Sequence, residues 1–219
     1  RNKVTTHIPS AETLESFKND LDQIRDEAMA KVGEEDARYI RNVVRVQRVL
    51  DIGGRAVMVA GFYHWIWFVV GAVMLGIAKI LDNMEIGHNV SHGQWDWMNA
   101  PEIHSSTWEW DMVAVSSQWK FSHNYRHHVF SNVLGEDDDL GFGVMRVTPE
   151  QPWQRKHLLQ PLQNLFLALT FEWGIALHDV DLAAGNAKRT SQLKALGAKV
   201  ARQGFKDYLL WPLLAGPFF

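Results

Sequence analysis

AVMVAGFYHWIWFVVGAVMLGIA, residues 56–78, contains no Asp, Glu, Lys or Arg and only His64 as a group that titrates near neutral pH. An unbroken helix of that length would rise about 34 Å, enough to cross the hydrocarbon core of a bilayer. The stretch therefore predicts a membrane helix. Upstream, Ser10 precedes AETLESFKNDLDQIRDEAMAKV, which mixes charges with apolar residues near helical spacing and meets a stop at Gly33. DARYIRNVVRVQRVL at 36–50 repeats the amphipathic pattern, with Arg41, Arg45 and Arg48 beside Ile, Val and Leu; it reads as a solvated helix face, or as a helix lying among headgroups. Downstream, LLQPLQNLFLALTFEWGIAL at 158–177 is a weaker apolar segment, broken by Gln160, Gln163, Asn164 and Glu172. FKDYLLWPLLAGPFF at 205–219 opens a third and stops inside it, which suggests a truncated chain.

The composition narrows the chemistry. The 219 residues contain no cysteine, so disulfides, thiolate nucleophiles, Cys-ligated zinc and iron–sulfur clusters are excluded, and His, Asp and Glu remain as the strong metal ligands. A formal net charge of −3, with the basic residues dispersed, offers no field for nucleic acid. Ten tryptophans suit interfaces where one end of a side chain is wet, and Trp95, Trp97, Trp108, Trp110 and Trp119 are expected mostly as such anchors. The charged first fifty residues show no signal peptide.

Between the apolar segments, GHNVSHGQWDW at 87–97 and FSHNYRHHVFSN at 121–132 hold five of the ten histidines. His88 and His92 are four apart, as are His123 and His127, so on a helix each pair projects from one face and can chelate one ion. His128 points about 100° away and can reach a second ion. A zinc protease would place Glu after the first His, where Asn89 and Asn124 stand here, and a ferritin-like di-iron site would need paired Glu and Glu-x-x-His. Imidazole suits iron, copper, nickel and zinc alike, so spacing alone does not name the ion. Taken singly, His64, His104, His157 and His178 read as satisfied core residues. Carboxylates commonly orient a ligating imidazole, and Glu85, one turn before His88, and Asp111 are the candidates for that role. Glu109 is also near in sequence, while the acidic run Glu136 to Asp139 reads as a solvated loop.

The stretches DNMEIGHNVSHGQWDWMNAPEIHSSTWEWD and SSQWKFSHNYRHHVFSNVLGEDDDLGFG resemble the membrane-bound fatty acid desaturases, specifically the bacterial acyl-CoA or acyl-lipid branch. The resemblance runs from about residue 40 to the end. It implies an all-α integral membrane protein of helix hairpins, with a cytoplasmic helical cap carrying the histidine boxes. It also implies a desaturase domain over 41–219, incomplete at its C-terminus, and location in a bacterial plasma membrane with the boxes facing the cytoplasm; ahead of it, the charged amphipathic pattern over 1–40 reads as a soluble helical segment. His88 and His92 match the first box; His123, His127 and His128 match the second. The activity implied is O2-dependent formation of a cis double bond in a fatty acyl chain at two irons, with electrons from a separate ferredoxin or flavin oxidoreductase. The family's third box has no counterpart within 129–219, which leaves at least one iron short of ligands. Hydroxylation at the same kind of centre, or cation binding or transport without catalysis, are the alternative readings. Topology is divided: Lys and Arg are denser before residue 55 than over 82–156, which with simple spans places the boxes outside the cytoplasm. A hairpin over about 45–80 keeps them inside.

Overall fold

A computed structural model describes residues 9–137, 139–181 and 185–215. Every regular element among them is helical, in keeping with the all-α expectation. The chain divides into two compact units, residues 1–42 and 43–219.

In the first unit, α1 (Ala11–Lys31) starts at Ser10, whose hydroxyl accepts from the Thr13 N–H at 3.1 Å. Such a cap satisfies one of the amide donors left open at a helix start. The helix α2 (Glu34–Val59) opens on three acidic residues, Glu34, Glu35 and Asp36, which complement the positive end of its dipole.

In the second unit, the predicted span 56–78 is not one helix. The chain leaves α2 at Val59, turns through Ala60–Phe62, and begins α3 (Trp65–Ile80) with His64 as the cap, its Nδ1 accepting from the Ile66 N–H at 3.2 Å. Hydropathy is blind to this break, because Gly61, Phe62 and Tyr63 are as uncharged as the helix around them. The turn makes a hairpin. Its two arms meet at glycines: a Cβ on Gly71 would lie 2.6 Å from the Gly54 carbonyl oxygen, and one on Gly54 would lie 3.0 Å from Leu75 Cγ. Backbones approach this closely only where no side chain intervenes. Helical structure then continues without interruption from Trp65 to Ser91, and this is the one helix among the described residues long and apolar enough to cross a membrane. The first histidine box is thus the end of the apolar helix, not part of a separate loop.

The core lies beneath the boxes. Trp110, Met112, Val113, Ala114 and Trp119 are buried against Ala176 and Val180, around the end of α6 (Phe171–His178), and Leu196 of α7 (Asn186–Phe205). Trp110 (4% exposed) donates from Nε1 to the Ala114 carbonyl at 2.9 Å, and Trp119 is 8% exposed. The interfacial role expected for these two tryptophans is therefore corrected: both are core residues, while Trp97 remains exposed. Large rings fill the space under the cluster because they exclude water over a wide area at little rotamer cost.

Candidate metal centre

A π-type turn leads into the first box, and another carries most of the second. Leu81–Gly87 forms the former and runs into α4 (His88–Ser91), and Lys120–His127 forms the latter directly after α5 (Ser116–Trp119). The wider turn rotates successive side chains by less than an α-helix does, and such bulges recur at functional sites. Gly93, at φ 76°, ends the first box one residue after His92, in a backbone region that costs any other residue a steric penalty. Asn124 ties the boxes together, donating from Nδ2 to the Ser91 carbonyl at 2.8 Å.

The five box histidines form one cluster. His88 Nε2 lies 3.1 Å from His92 Nε2 and 3.3 Å from His123 Nε2. Two nitrogens bound to one ion at about 2.0–2.1 Å sit about 3.0–3.4 Å apart, so this triad already has the spacing of neighbouring ligands. The His128 ring centre is 4.8 Å from that of His92 and 4.9 Å from that of His123, and the His127 ring stacks on His123 at 5.0 Å. Trp119 lies against the base of the cluster, stacked on His123 at 4.3 Å with its edge toward His88 and His92.

The acidic loop expected to be solvated turns inward. His123 Nδ1 is 3.0 Å from Asp139 Oδ2, and His127 Nδ1 is 3.0 Å from Asp137 Oδ1. The Asp137 side chain is 1% exposed, and its oxygens also accept from the Asn132 and Asp139 N–H groups. Asp139 uses its other oxygen on His178, whose Nε2 is 3.1 Å from Oδ1. A carboxylate on Nδ1 fixes the imidazole tautomer and leaves Nε2 as the lone-pair donor. Asn132, at φ 63°, makes the bend that folds Asp137 back. The composition DDD over 137–139 carries no period that separates this arrangement from an exposed acidic turn. His178, expected as an ordinary core residue, joins the cluster through Asp139.

Electrostatics keep the site ready for a cation. Burial, and then the positive charge that His88, His123 and His128 would carry, hold His92 down to about 4, and burial followed by His123 and His127 lowers His128. Both are neutral, the form that ligates metal, at physiological pH. Burial alone would raise Asp137, but the bonds from His127 and the Asn132 N–H prevail and hold it below the ordinary carboxylate range. Asp179, adjacent to His178, goes the other way. Burial pushes it up to about 7, and its Oδ1 is 2.6 Å from Ser122 Oγ.

Of the carboxylates singled out in the sequence, Glu85 is half-buried and its backbone carbonyl accepts from Asn89 Nδ2 at 2.8 Å. Asp111 is engaged elsewhere. It pairs with Lys206 and, at 3.1 Å, with Lys79, while Gln203 bonds its carbonyl at 3.1 Å. Burial opposes its charge, but Lys206 and Lys79 overcome that and keep the carboxyl well below its usual range. Glu109 accepts from the Ser116 N–H at 3.1 Å and pairs with Lys199, so it closes the start of α5. The donor set that results fits a transition metal: imidazoles directed inward, carboxylates behind two of them. His88, His92 and His123 form one group of metal-binding composition, and His123, His127 and Asp139 another.

Fold and cluster together define an all-helical protein with a histidine-rich centre of metal-binding composition at the end of an apolar helix. The chain is 46% identical over 217 residues to an NADPH-dependent stearoyl-CoA 9-desaturase of Mycobacterium tuberculosis, an alignment covering 96% of this chain and 50% of that one. A sn-1 linoleoyl-lipid 6-desaturase of Synechocystis is 31% identical over 125 residues, covering 55% of this chain and 34% of its own. The chain belongs to the bacterial fatty acid desaturase family. It spans about half the length of the Mycobacterium relative. No family model matches the chain, and no solved structure matches it.

Proposed function

We propose that this chain supplies two histidine boxes to a membrane-embedded acyl desaturase, with His88, His92, His123, His127 and His128 as ligands of two irons. The convergence of their nitrogens, with Asp139 and Asp137 behind His123 and His127, carries this reading. The similarity to a stearoyl-CoA 9-desaturase supports a fatty acyl substrate, and the acyl-lipid relative supports the same class. The overall reaction takes a saturated CH2–CH2 pair, O2, two electrons and two protons to a cis double bond and two waters. The irons would supply oxygen activation, which no acid–base side chain can provide.

The protein's own residues position and shield. Asp137 and Asp139 would hold His127 and His123 each in the tautomer with Nε2 unprotonated, and the His123 Nε2 faces His88. Trp119 and Trp110 close the underside against water. A cavity of about 800 Å3 has mostly apolar walls, Met58, Phe68 and Leu75 among them, and also touches Asp51, Arg55, Lys79 and Asp207; its size and apolar walls suit the chain of an acyl ligand. The apolar helix Trp65–Ser91 would hold the centre at the water edge of a bacterial plasma membrane, with the boxes on the cytoplasmic side. A soluble helical segment over 1–40 would precede the membrane-bound part. The NADPH dependence of the Mycobacterium relative favours NADPH as the ultimate reductant, delivered by a separate ferredoxin or flavin oxidoreductase.

The test is iron analysis of the full-length protein purified in detergent, together with lipid profiling of cells expressing it. Iron near two per chain with new cis-unsaturated acyl groups is expected. Unchanged lipids in cells making iron-loaded protein with a functional reductase would overturn the desaturase reading.

A further inference from the structure

The helix α1 contains no buried residue, yet Leu14, Phe17, Leu21 and Ile24 form a row of large apolar side chains along it, from 49% to 63% exposed. In proteins most of a helix's stability comes from packing an apolar face rather than from propensity, and the 21 residues of α1 leave that face open. The spacing identifies the kind of packing. Leu14, Phe17, Leu21, Ile24 and Ala28 alternate steps of three and four, the narrow seam of a heptad with Leu14, Leu21 and Ala28 at a and Phe17 and Ile24 at d. A helix that covers a globular core shows a wider stripe.

The flanking charges identify the partner. In this register the e positions within the seam are Lys18 and Arg25, and the g positions from the first full heptad onward are Asp20 and Glu27. In a parallel, in-register coiled coil each g residue faces the e residue five positions later on the neighbouring helix, which sets Asp20 against Arg25 of another copy. An antiparallel arrangement sets e against e and g against g, which places like charges together. The pattern is therefore self-complementary in one orientation only. Lys18 bonds Asp22 within its own helix at 3.2 Å, but both are more than half exposed, so that contact exchanges at little cost. A membrane surface is the poorer occupant: Glu12, Glu15, Asp20, Asp22, Asp26 and Glu27 outnumber Lys18, Arg25 and Lys31, and anionic headgroups repel such a helix.

We propose that α1 joins the α1 helices of other copies of this chain in a parallel, in-register coiled coil.

These 219 residues contain no cysteine, so within them each introduced thiol stands alone. Single variants Leu14→Cys, Ala28→Cys and Asn19→Cys of the full chain in detergent are mildly oxidised, and disulfide-linked dimer is quantified. Leu14→Cys and Ala28→Cys, at a positions, are expected to crosslink several-fold more than Asn19→Cys, which faces outward. A mixture of the Leu14→Cys and Ala28→Cys proteins should give almost no mixed dimer, because the two sites are 14 residues, about 21 Å, apart along a parallel pair. Adding Asp20→Arg to Leu14→Cys should cut the yield several-fold, and adding Arg25→Asp as well should restore it. Equal crosslinking at residue 19, abundant 14–28 dimers, or a yield indifferent to the charge exchange would each overturn the proposal.

Discussion

Replacing Asp139 by Asn isolates what a carboxylate contributes behind a candidate ligand. Asp139 faces two imidazoles at once, His123 Nδ1 at 3.0 Å through Oδ2 and His178 Nε2 at 3.1 Å through Oδ1. An amide of the same shape keeps one acceptor and turns an NH2 donor on the other ring. Whichever way it flips, one imidazole loses its acceptor. If that ring is His123, the tautomer with Nε2 free is no longer enforced, and the negative charge that raises ligand basicity is gone in either case. Removing such a partner typically costs about 10–100-fold in metal affinity, about 1.4 kcal/mol for each tenfold. The assay is competitive titration of Fe(II) or Co(II) into metal-free full-length protein in detergent, read by the ligand-field absorbance of Co(II). Asp139→Asn is expected in that range, with Asp137→Asn comparable. Affinity within twofold of the parent for both, with thermal stability unchanged, would refute the assignment of these carboxylates as positioning residues.

Asp111→Asn should leave metal affinity unchanged in the same titration. Its pairs with Lys79 and Lys206 are about half exposed on the carboxylate side, so thermal stability should fall by only about 1 kcal/mol or less for each. Gly71→Ala should destabilise the hairpin by about 1–3 kcal/mol, because the new methyl meets the Gly54 carbonyl oxygen and Met58; thermal unfolding in detergent measures it. Asp179 gives a pH signature in metal-free protein. Its folded-state value of about 7 lies above the ordinary value of 3.8, so the folded state binds the proton more tightly, and its contribution is lost as pH rises from about 4 to about 7. Thermal unfolding across that window should show the loss in the parent, and Asp179→Asn should be flatter by that component.

The order of helices, the membrane-length apolar stretch and the histidine pairs were legible in the sequence because each is a local pattern: a run without charge, a spacing of four, a cysteine count of zero. A hairpin over about 45–80 was one of two arrangements the sequence allowed, but hydropathy did not locate its turn at Ala60–His64, since uncharged residues carry hydropathy equally well in a turn and in a helix. Asp137, Asp139 and His178 were misread for a different reason. Residue 178 lies 39 positions from Asp139, and the loop that carries the two aspartates turns inward only because Asn132 adopts a left-handed conformation and backbone amides accept Asp137 into the interior. Composition alone determined that a metal here must be held by imidazole or carboxylate. Which carboxylates stand behind which imidazoles was decided by the tertiary fold, because hydrogen bonds of 3 Å depend on the positions of segments that no local spacing encodes.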